Sequence, residues 1–438
     1  MVLMSEKKQT IYALSTPSGK SAIAVVRISG PKAYNYVKLI SSSMPKKPNS
    51  SVTNLLKDND GEIIDKTITT FFKGPKSYTG EDMIEISMHG GDASINKFFE
   101  IFSKKKDVRM AERGEFTKRA FENNKIDLIQ AEAIDDLVNA ETDLQRKQAH
   151  NQLDGNFSNK TKNIFDKLKK ILANTEAIID FADEELPKNL EKEIREQIEN
   201  IKKEIKKILS GKDIGRKIRN GFVVGIIGKT NVGKSSFINY ISDKDLAIVT
   251  KTPGTTRDLL EYFLDLKGIP VRFFDTAGIR RSKNPIEKIG IEKSVLVSKN
   301  ADINLVFIEN IKDIAFFKKT SNAIYVQSKQ DISKKIINFK GVSKISSISG
   351  KGIDKLLKKI YKKLSKKIVP ENTYISRERH HKSLINAYEY INDCKKDSNY
   401  DIVSENIRMA LKEISKIYGN VDIEDILDII FNDFCIGK

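Results

Sequence analysis

The run GKTNVGKSS at 228–236 constrains this chain more than any other feature. An apolar stretch, Phe222 to Ile227, leads into it, and a helix-forming stretch, Ser236 to Ile241, leaves it. Strand, glycine-rich turn and helix in that order turn main-chain N–H groups towards phosphates at a helix N-terminus. Lys234 then pairs with the β and γ phosphates of a nucleotide, the Ser235 hydroxyl ligates magnesium, and Asn231, Val232, Gly233 and Ser236 complete the loop. The alternating strands and helices over residues 218–368 predict an α/β P-loop domain of the Ras-like type.

Guanine rather than adenine is argued by segments further along the same domain. Gly254, Thr255, Thr256, Arg257 and Asp258 read as a first switch, in which Thr256 completes the magnesium shell and senses the γ-phosphate. Asp275, Thr276, Ala277 and Gly278 come after the strand Val271 to Phe274 as a second switch, with Asp275 holding magnesium through water and the Gly278 N–H meeting the γ-phosphate. A carboxylate at the end of a later strand must accept the guanine N1–H and exocyclic amine, and Asp331 of the run SKQD, after Ala323 to Gln327, fits. Lys329 belongs to the same loop. Ser328 stands where Asn or Thr is usual. Ser346, Ser347 and Ile348 read as the last base-contacting loop.

Ile279 comes next after the second-switch glycine and has no polar group to orient water, so hydrolysis needs another device. Asn231 and the segment Thr250 to Thr255 offer oxygens able to cage a monovalent cation, which would neutralise charge developing between the β and γ phosphates. A loop-stabilising side chain is the alternative role for Asn231.

The 438 residues allow about three domains. Residues 1–122 alternate in strand fashion at Ile23 to Ile28, Thr67 to Phe72 and Met83 to Met88, predicting a small α+β domain. Helical spacing takes over at Ile126, Ile129, Ala133, Leu137 and Ala140, then at Ile164, Leu168, Ile171, Thr175 and Ile178, then from Ile194 to Ile208. After Pro370, helices are expected over Ile375 to Lys396, Asp401 to Tyr418 and Ile423 to Phe431. The economical arrangement is one discontinuous helical bundle, 123–217 with 369–438, from which the nucleotide domain is looped out.

Only two cysteines occur, Cys394 and Cys435, too far apart in sequence to suggest a zinc site or a disulfide framework. No run reaches the roughly 18 apolar residues that span a bilayer, and MVLMSEKKQT carries no secretory signal, so a cytoplasmic protein without membrane attachment is expected. The formal charge of +18 fits a polyanionic partner if it is gathered on one face. Lysine drift on solvated helix faces fits it equally.

Taken together, GKTNVGKSS, TKTPGTTRD, DTAGIR and KIGIEKS, with VVRISG at 25–30, SYTGEDMIEISMHGG at 77–91, RGEFTKRAFENNKIDLIQAEAIDDLV at 113–138 and the terminal FCIGK, resemble the MnmE (TrmE) family of tRNA-modifying GTPases over essentially the whole chain. The resemblance implies an N-terminal folate-binding and dimerisation domain at 1–122, taking 5-formyl- or methylene-tetrahydrofolate, and a homodimer. It also implies GTP-dependent modification of C5 of the wobble uridine of certain tRNAs, with an MnmG-like FAD protein as partner in a heterotetramer. It assigns Arg27, Glu85, Lys125 and Lys438 to folate, Asn231, Thr250, Thr252 and Thr255 to potassium, Ser235 and Thr256 to magnesium, and Glu287 to orienting the attacking water. Glu85 lies on the polar side of its strand and has solvation as its plain rival role. Cys435 is a candidate for one-carbon transfer, with packing as its rival role. A ribosome-assembly GTPase shares the nucleotide motifs, but no GXXG between helices and no RNP motif is present. A membrane-attached transporter GTPase is disfavoured by the lack of spanning runs.

Overall fold

Alternation of buried and half-buried side chains along β-branched runs sets up the first sheet. A computed structural model describes residues 9–181, 187, 189–229, 231–243, 247–248, 261–275, 298–332, 341–368, 374–395, 399–419, 427, 430–431 and 434–437. These cluster into two compact units, Met1–Asp135 with Ser415–Lys438, and Asp136–Ile414.

In the first unit the elements run β1 (Thr10–Leu14), β2 (Ser21–Ser29), α1 (Ala33–Leu39), β3 (Ser50–Lys57), β4 (Ile63–Phe72), β5 (Met83–Gly90), α2 (Asp92–Ser103), β6 (Val108–Met110), α3 (Glu115–Glu122) and α4 (Leu128–Val138), the last crossing into the second unit. The six strands order as β3-β4-β5-β2-β1-β6, antiparallel except for β1 with β6. Ala24, Val26 and Ile28 of β2 and Ile84, Ile86 and Met88 of β5 face one way and bury against Phe98 and Phe102 of α2. Period two therefore sends Arg27 and Glu85, which are register partners, to the opposite face. There Ile11 and Ala13 of β1 pack against Phe116 of α3.

Helical periodicity opens the second unit: α5 (Asp143–Leu153), α6 (Asn156–Asp180), α7 (Leu190–Leu209) and α8 (Lys212–Asn220). Ile194, Ile198, Ile201, Ile205 and Ile208 are all buried along α7, which packs on α6. Each such side chain contributes about 2 kcal/mol by leaving water. The Thr142 hydroxyl and Gln145 close a capping box at the start of α5.

The chain then enters a seven-stranded sheet through β7 (Phe222–Gly228), α9 (Lys234–Asp243), β8 (Ala247–Ile248), β9 (Glu261–Leu266), β10 (Ile269–Asp275), β11 (Ile303–Phe307), α10 (Ile311–Phe316), β12 (Ala323–Gln327), β13 (Ser343–Lys344) and α11 (Ile353–Ser365). The order is β13-β12-β11-β7-β10-β9-β8, with parallel pairing from β13 to β10. Buried Asp302 clamps the entry and the exit of this segment together. It accepts from Lys217 at 2.8 Å, from Lys367 at 3.3 Å and from the Val223 N–H at 3.1 Å. The unit continues with α12 (Glu378–Asp393), packed on α7, and α13 (Tyr400–Tyr418), whose last turn belongs to the first unit. The helix expected over 423–431 lies mostly outside the described residues.

Candidate functional site

Parallel strands β7, β10, β11, β12 and β13 bring their C-terminal ends to one edge of the sheet, where the α/β layout leaves a crevice for a ligand. The loop after β7 needs backbone conformations that only certain residues adopt. Gly228 has φ +149°, and a Cβ there would lie 2.6 Å from the Phe307 carbonyl oxygen. Gly233 has φ +94°, and its Cβ would lie 2.5 Å from Ser328 Oγ. Asn231, between them, takes φ +63°, a left-handed conformation that asparagine tolerates.

Lys234 opens α9 and is 3% exposed. Its ammonium donates to the Gly228 carbonyl at 2.8 Å and to the Lys229 carbonyl. Burial lowers its pKa below that of an ordinary lysine, and the charge of Asp275 opposes the drop. A buried cation satisfied by neutral carbonyls favours an anion beside it. Ser235 and Ser236, next on the helix, are exposed at the same edge. Asp275 ends β10 in register with Ile226 and is 9% exposed.

The two expected base loops are joined to each other and to the phosphate loop. The Ile345 N–H donates to the Gln327 carbonyl at 2.8 Å, and the Gln330 N–H donates to the Ile345 carbonyl at 3.1 Å. Ser328 Oγ donates to the Val232 carbonyl, and Lys329 Nζ donates to the Asn231 carbonyl at 2.6 Å. Asp331 is exposed beyond them. Ser346 is 1% exposed, and its hydroxyl accepts from the Ser349 N–H at 3.2 Å. The Ser347 hydroxyl is buried with no partner among the described residues, and Ile348 is 83% exposed. Thus Asn231 to Ser236, Asp275, Ser328, Lys329, Asp331 and Ser346 to Ile348 all sit at or beyond the ends of adjacent strands. Thr250, Thr252, Thr255, Thr256, Thr276, Ala277, Gly278 and Glu287 lie outside the described residues.

One partner escaped the sequence reading. Lys229 Nζ lies 2.6 Å from Oδ1 of Asp313, whose side chain is 3% exposed. Oδ2 accepts from the N–H groups of Glu309 at 2.9 Å and Asn310 at 3.1 Å, as half of a capping box that starts α10. Burial pushes the Asp313 carboxyl up, but Lys229 and the two amides outweigh it and hold it below the ordinary carboxylate range. The run Asn310-x-x-Asp313 was the available signal.

In the first unit, Arg27 Nε donates to Glu85 Oε1 at 2.9 Å. The guanidinium lies 5.1 Å from the Tyr78 ring centroid and 5.7 Å from that of Phe116. Its NH1 also reaches the Gly437 carbonyl at 3.4 Å, which accepts from Ser15 Oγ at 3.0 Å. Ile436 bridges to Arg113. The CIGK run therefore lies against the strand end that carries Arg27. Cys435 is exposed, whereas Phe431 and Phe434 are buried. Lys125 is exposed nearby in sequence to α3, donating to the Pro75 carbonyl at 2.8 Å. Lys438 lies outside the described residues.

Two family models match, the MnmE helical domain over residues 128–435 and the GTP-binding protein TrmE N-terminus over residues 10–125. A protein of Pelagibacter ubique named tRNA modification GTPase MnmE is 42% identical, over 98% of this chain and 100% of its own length. Proteins of the same name from Clostridioides difficile and Aquifex aeolicus are each 37% identical, over 98% of this chain and 99% and 100% of theirs. With both family models matched and full-length relatives well above 30% identity, the chain belongs to the MnmE family of tRNA modification GTPases.

Proposed function

We propose that this chain binds and hydrolyses GTP and uses the cycle, with an MnmG-like FAD protein in a heterotetramer, to modify C5 of the wobble uridine of certain tRNAs in the cytoplasm. The observation that carries the nucleotide half is the buried Lys234 ammonium, held by the carbonyls of Gly228 and Lys229, with Asp275 as the nearby acid among the described residues. Lys234 would pair with the β and γ phosphates, the Ser235 hydroxyl and Thr256 would hold magnesium, and Asp275 would reach it through water. Glu287 orients the attacking water. Asn231, Thr250, Thr252 and Thr255 would hold potassium, whose charge would offset that developing on the departing γ-phosphate. Asp331 reads the guanine edge, supported by Lys329 and the turn Ser346 to Ile348, and Gly278 with Thr276 and Ala277 senses the γ-phosphate.

The first unit has a donor set suited to folate. Glu85 is a carboxylate on a half-covered sheet face, able to accept from pterin N–H groups, and Lys125 with Lys438 supplies cations for the glutamate tail. Tyr78 and Phe116 give the same face an aromatic wall. A bound tetrahydrofolate supplies a one-carbon unit. Arg27 holds Glu85 in place, and exposed Cys435 remains a candidate contact. The same unit forms the homodimer in this reading. Among the described residues no helix is long and apolar enough to cross a membrane.

Calorimetry with magnesium and potassium tests the nucleotide half: GTP binds, ATP does not, and Lys234→Ala binds neither. Equal uptake of ATP, or none of GTP, overturns it. Nucleoside analysis of tRNA from cells lacking the protein tests the other half, and a fully modified wobble uridine in those cells overturns it.

A further inference from the structure

Helix α11 closes the nucleotide domain, and its two faces have different fates. Ile353, Leu356, Leu357, Ile360 and Leu364 bury against the sheet. Lys355, Lys358, Lys362 and Lys363, with Lys366 just past the helix, are exposed on the other side. Spacings of three, four and one residues keep these five in one stripe, about 16 Å long at 1.5 Å per residue.

Across residues 351–368 there are eight lysines and one acid, Asp354. None of the five stripe lysines has an ion pair or side-chain hydrogen bond among the described residues. Lys367 is engaged with Asp302, and Lys359 with the Gly341 carbonyl at 2.8 Å. Lys358 with Lys362, and Lys362 with Lys366, stand four apart, where like charges on a helix repel. Burial lowers the pKa of Lys359, and the charge of Lys363 adds to the drop.

General lysine enrichment does not account for this. Helix α7, also rich in lysine, sets six bases among five acids over Leu190–Leu209. Its charges are used in pairs such as Lys202 with Glu199 at 2.8 Å and Glu204 with Lys167 at 2.7 Å. On α11, by contrast, no acid offsets the repulsion among the described residues. The patch extends beyond the helix, because exposed Lys267, in the turn between β9 and β10, places Nζ 5.8 Å from the ring centroid of Tyr361 on α11.

The geometry points to the exposed face of α11, with Lys267, as the surface that docks the phosphate backbone of tRNA. This rests on the tRNA function proposed for the chain and adds the surface to it. A membrane-binding helix inserts its apolar face, and that of α11 is already spent on the sheet. A protein partner is disfavoured because protein interfaces are depleted in lysine and anchored by aromatic or apolar side chains, which this stripe lacks. A row of flexible ammonium groups suits phosphates read without sequence preference.

The test uses the full chain and fluorescently labelled unfractionated tRNA, titrated between about 50 and about 200 mM KCl. Lys358→Glu/Lys362→Glu/Lys366→Glu is expected to bind at least about tenfold more weakly at low salt, with the slope of log K against log salt shallower by about 2 to 3. Its GTP turnover is expected to match the unaltered protein, which establishes that the domain is folded. Lys203→Glu/Lys206→Glu/Lys207→Glu on α7 makes the same change in charge and is expected to alter the slope less. Unchanged tRNA affinity in the α11 variant overturns the surface while leaving the tRNA function intact, as does an equal loss in the α7 variant. Absence of tRNA binding by the unaltered protein overturns both. Loss of binding to phosphatidylglycerol vesicles with tRNA binding retained overturns the proposal in favour of a lipid surface.

Discussion

The hydroxyl of Ser328 donates to the main-chain carbonyl of Val232, so the loop expected to read the base also fixes the loop expected to grip the phosphates. Ser328 is 8% exposed and Val232 2% exposed, so no solvent replaces the bond if it is lost. Ser328 thus retains an anchoring role at the position where Asn or Thr is usual, with a shorter side chain.

Removing that hydroxyl is expected to leave the Val232 carbonyl unsatisfied, at about 1 to 3 kcal/mol. Ser328→Ala should weaken GTP binding roughly tenfold in a fluorescent-nucleotide titration, and Ser328→Thr, which keeps the donor, should weaken it less. Gly233→Ala aims a Cβ at the same oxygen, 2.5 Å away, so part of its cost disappears when the oxygen is absent. The double variant should therefore be less damaged than the sum of the singles. Strict additivity would mean that the two positions do not meet.

The contact of Lys229 with Asp313 has two unequal halves. Lys229 is 54% exposed, so its side of the ion pair is screened, whereas Asp313 also receives two main-chain amides and is 3% exposed. Asp313→Ala is expected to cost about 2 kcal/mol by stranding those amides, lowering the melting temperature by about 4 to 8 °C. Lys229→Met should barely move it. Equal losses in calorimetry would show the ion pair, not the cap, to be the stabilising element.

Much of the framework around this candidate site could be read from the residues, because a phosphate-loop chemistry forces their types. The strand before the phosphate loop ends at Gly228, the strand before Ser328 spans Ala323–Gln327, and the isoleucines of α7 are buried at every predicted position. Helix α5 escaped because its inward face is polar. Gln148 donates to the Gly215 carbonyl at 3.0 Å and Gln152 to the Tyr374 carbonyl at 3.0 Å, bonds that leave no apolar periodicity in the sequence. The clamps at Asp302 and Asp313 escaped for a related reason. A single buried carboxylate looks like any surface acid until the amides and lysines converging on it are known.

Acid should loosen the first unit through Glu115. Burial pushes its carboxyl up, but Arg109, the Glu112 N–H and Arg119 outweigh burial and hold its pKa below the ordinary glutamate value. Arg109 NH1 and NH2 reach the two carboxylate oxygens at 2.7 Å each, and Arg119 NH2 reaches one at 2.9 Å. A depressed carboxylate adds stability that is complete above its unfolded pKa of about 4.3 and is lost as pH falls through the lower folded value. Unfolding followed by circular dichroism should therefore show an acid limb below about pH 4 that Glu115→Gln flattens while lowering stability at neutral pH. An unchanged acid limb in that variant would acquit Glu115 of any part in acid unfolding.

Asn231 combines a fixed backbone with an available side chain. Its carbonyl is taken by Lys329 at 2.6 Å and its φ is +63°, while its side chain is exposed and makes no hydrogen bond among the described residues. That arrangement suits a ligand oxygen better than a brace for the loop, the alternative role open to an asparagine here. A monovalent cation held by it would neutralise charge as the γ-phosphate departs, and about 1.4 kcal/mol of such stabilisation already gives tenfold in rate. GTP turnover in potassium is therefore expected to exceed that in sodium at least about tenfold, and Asn231→Ala is expected to bring the potassium rate down to the sodium rate with nucleotide affinity changed far less. Equal rates in the two salts for the unaltered protein would sink the cation, and a loss confined to affinity in the variant would return Asn231 to bracing the loop.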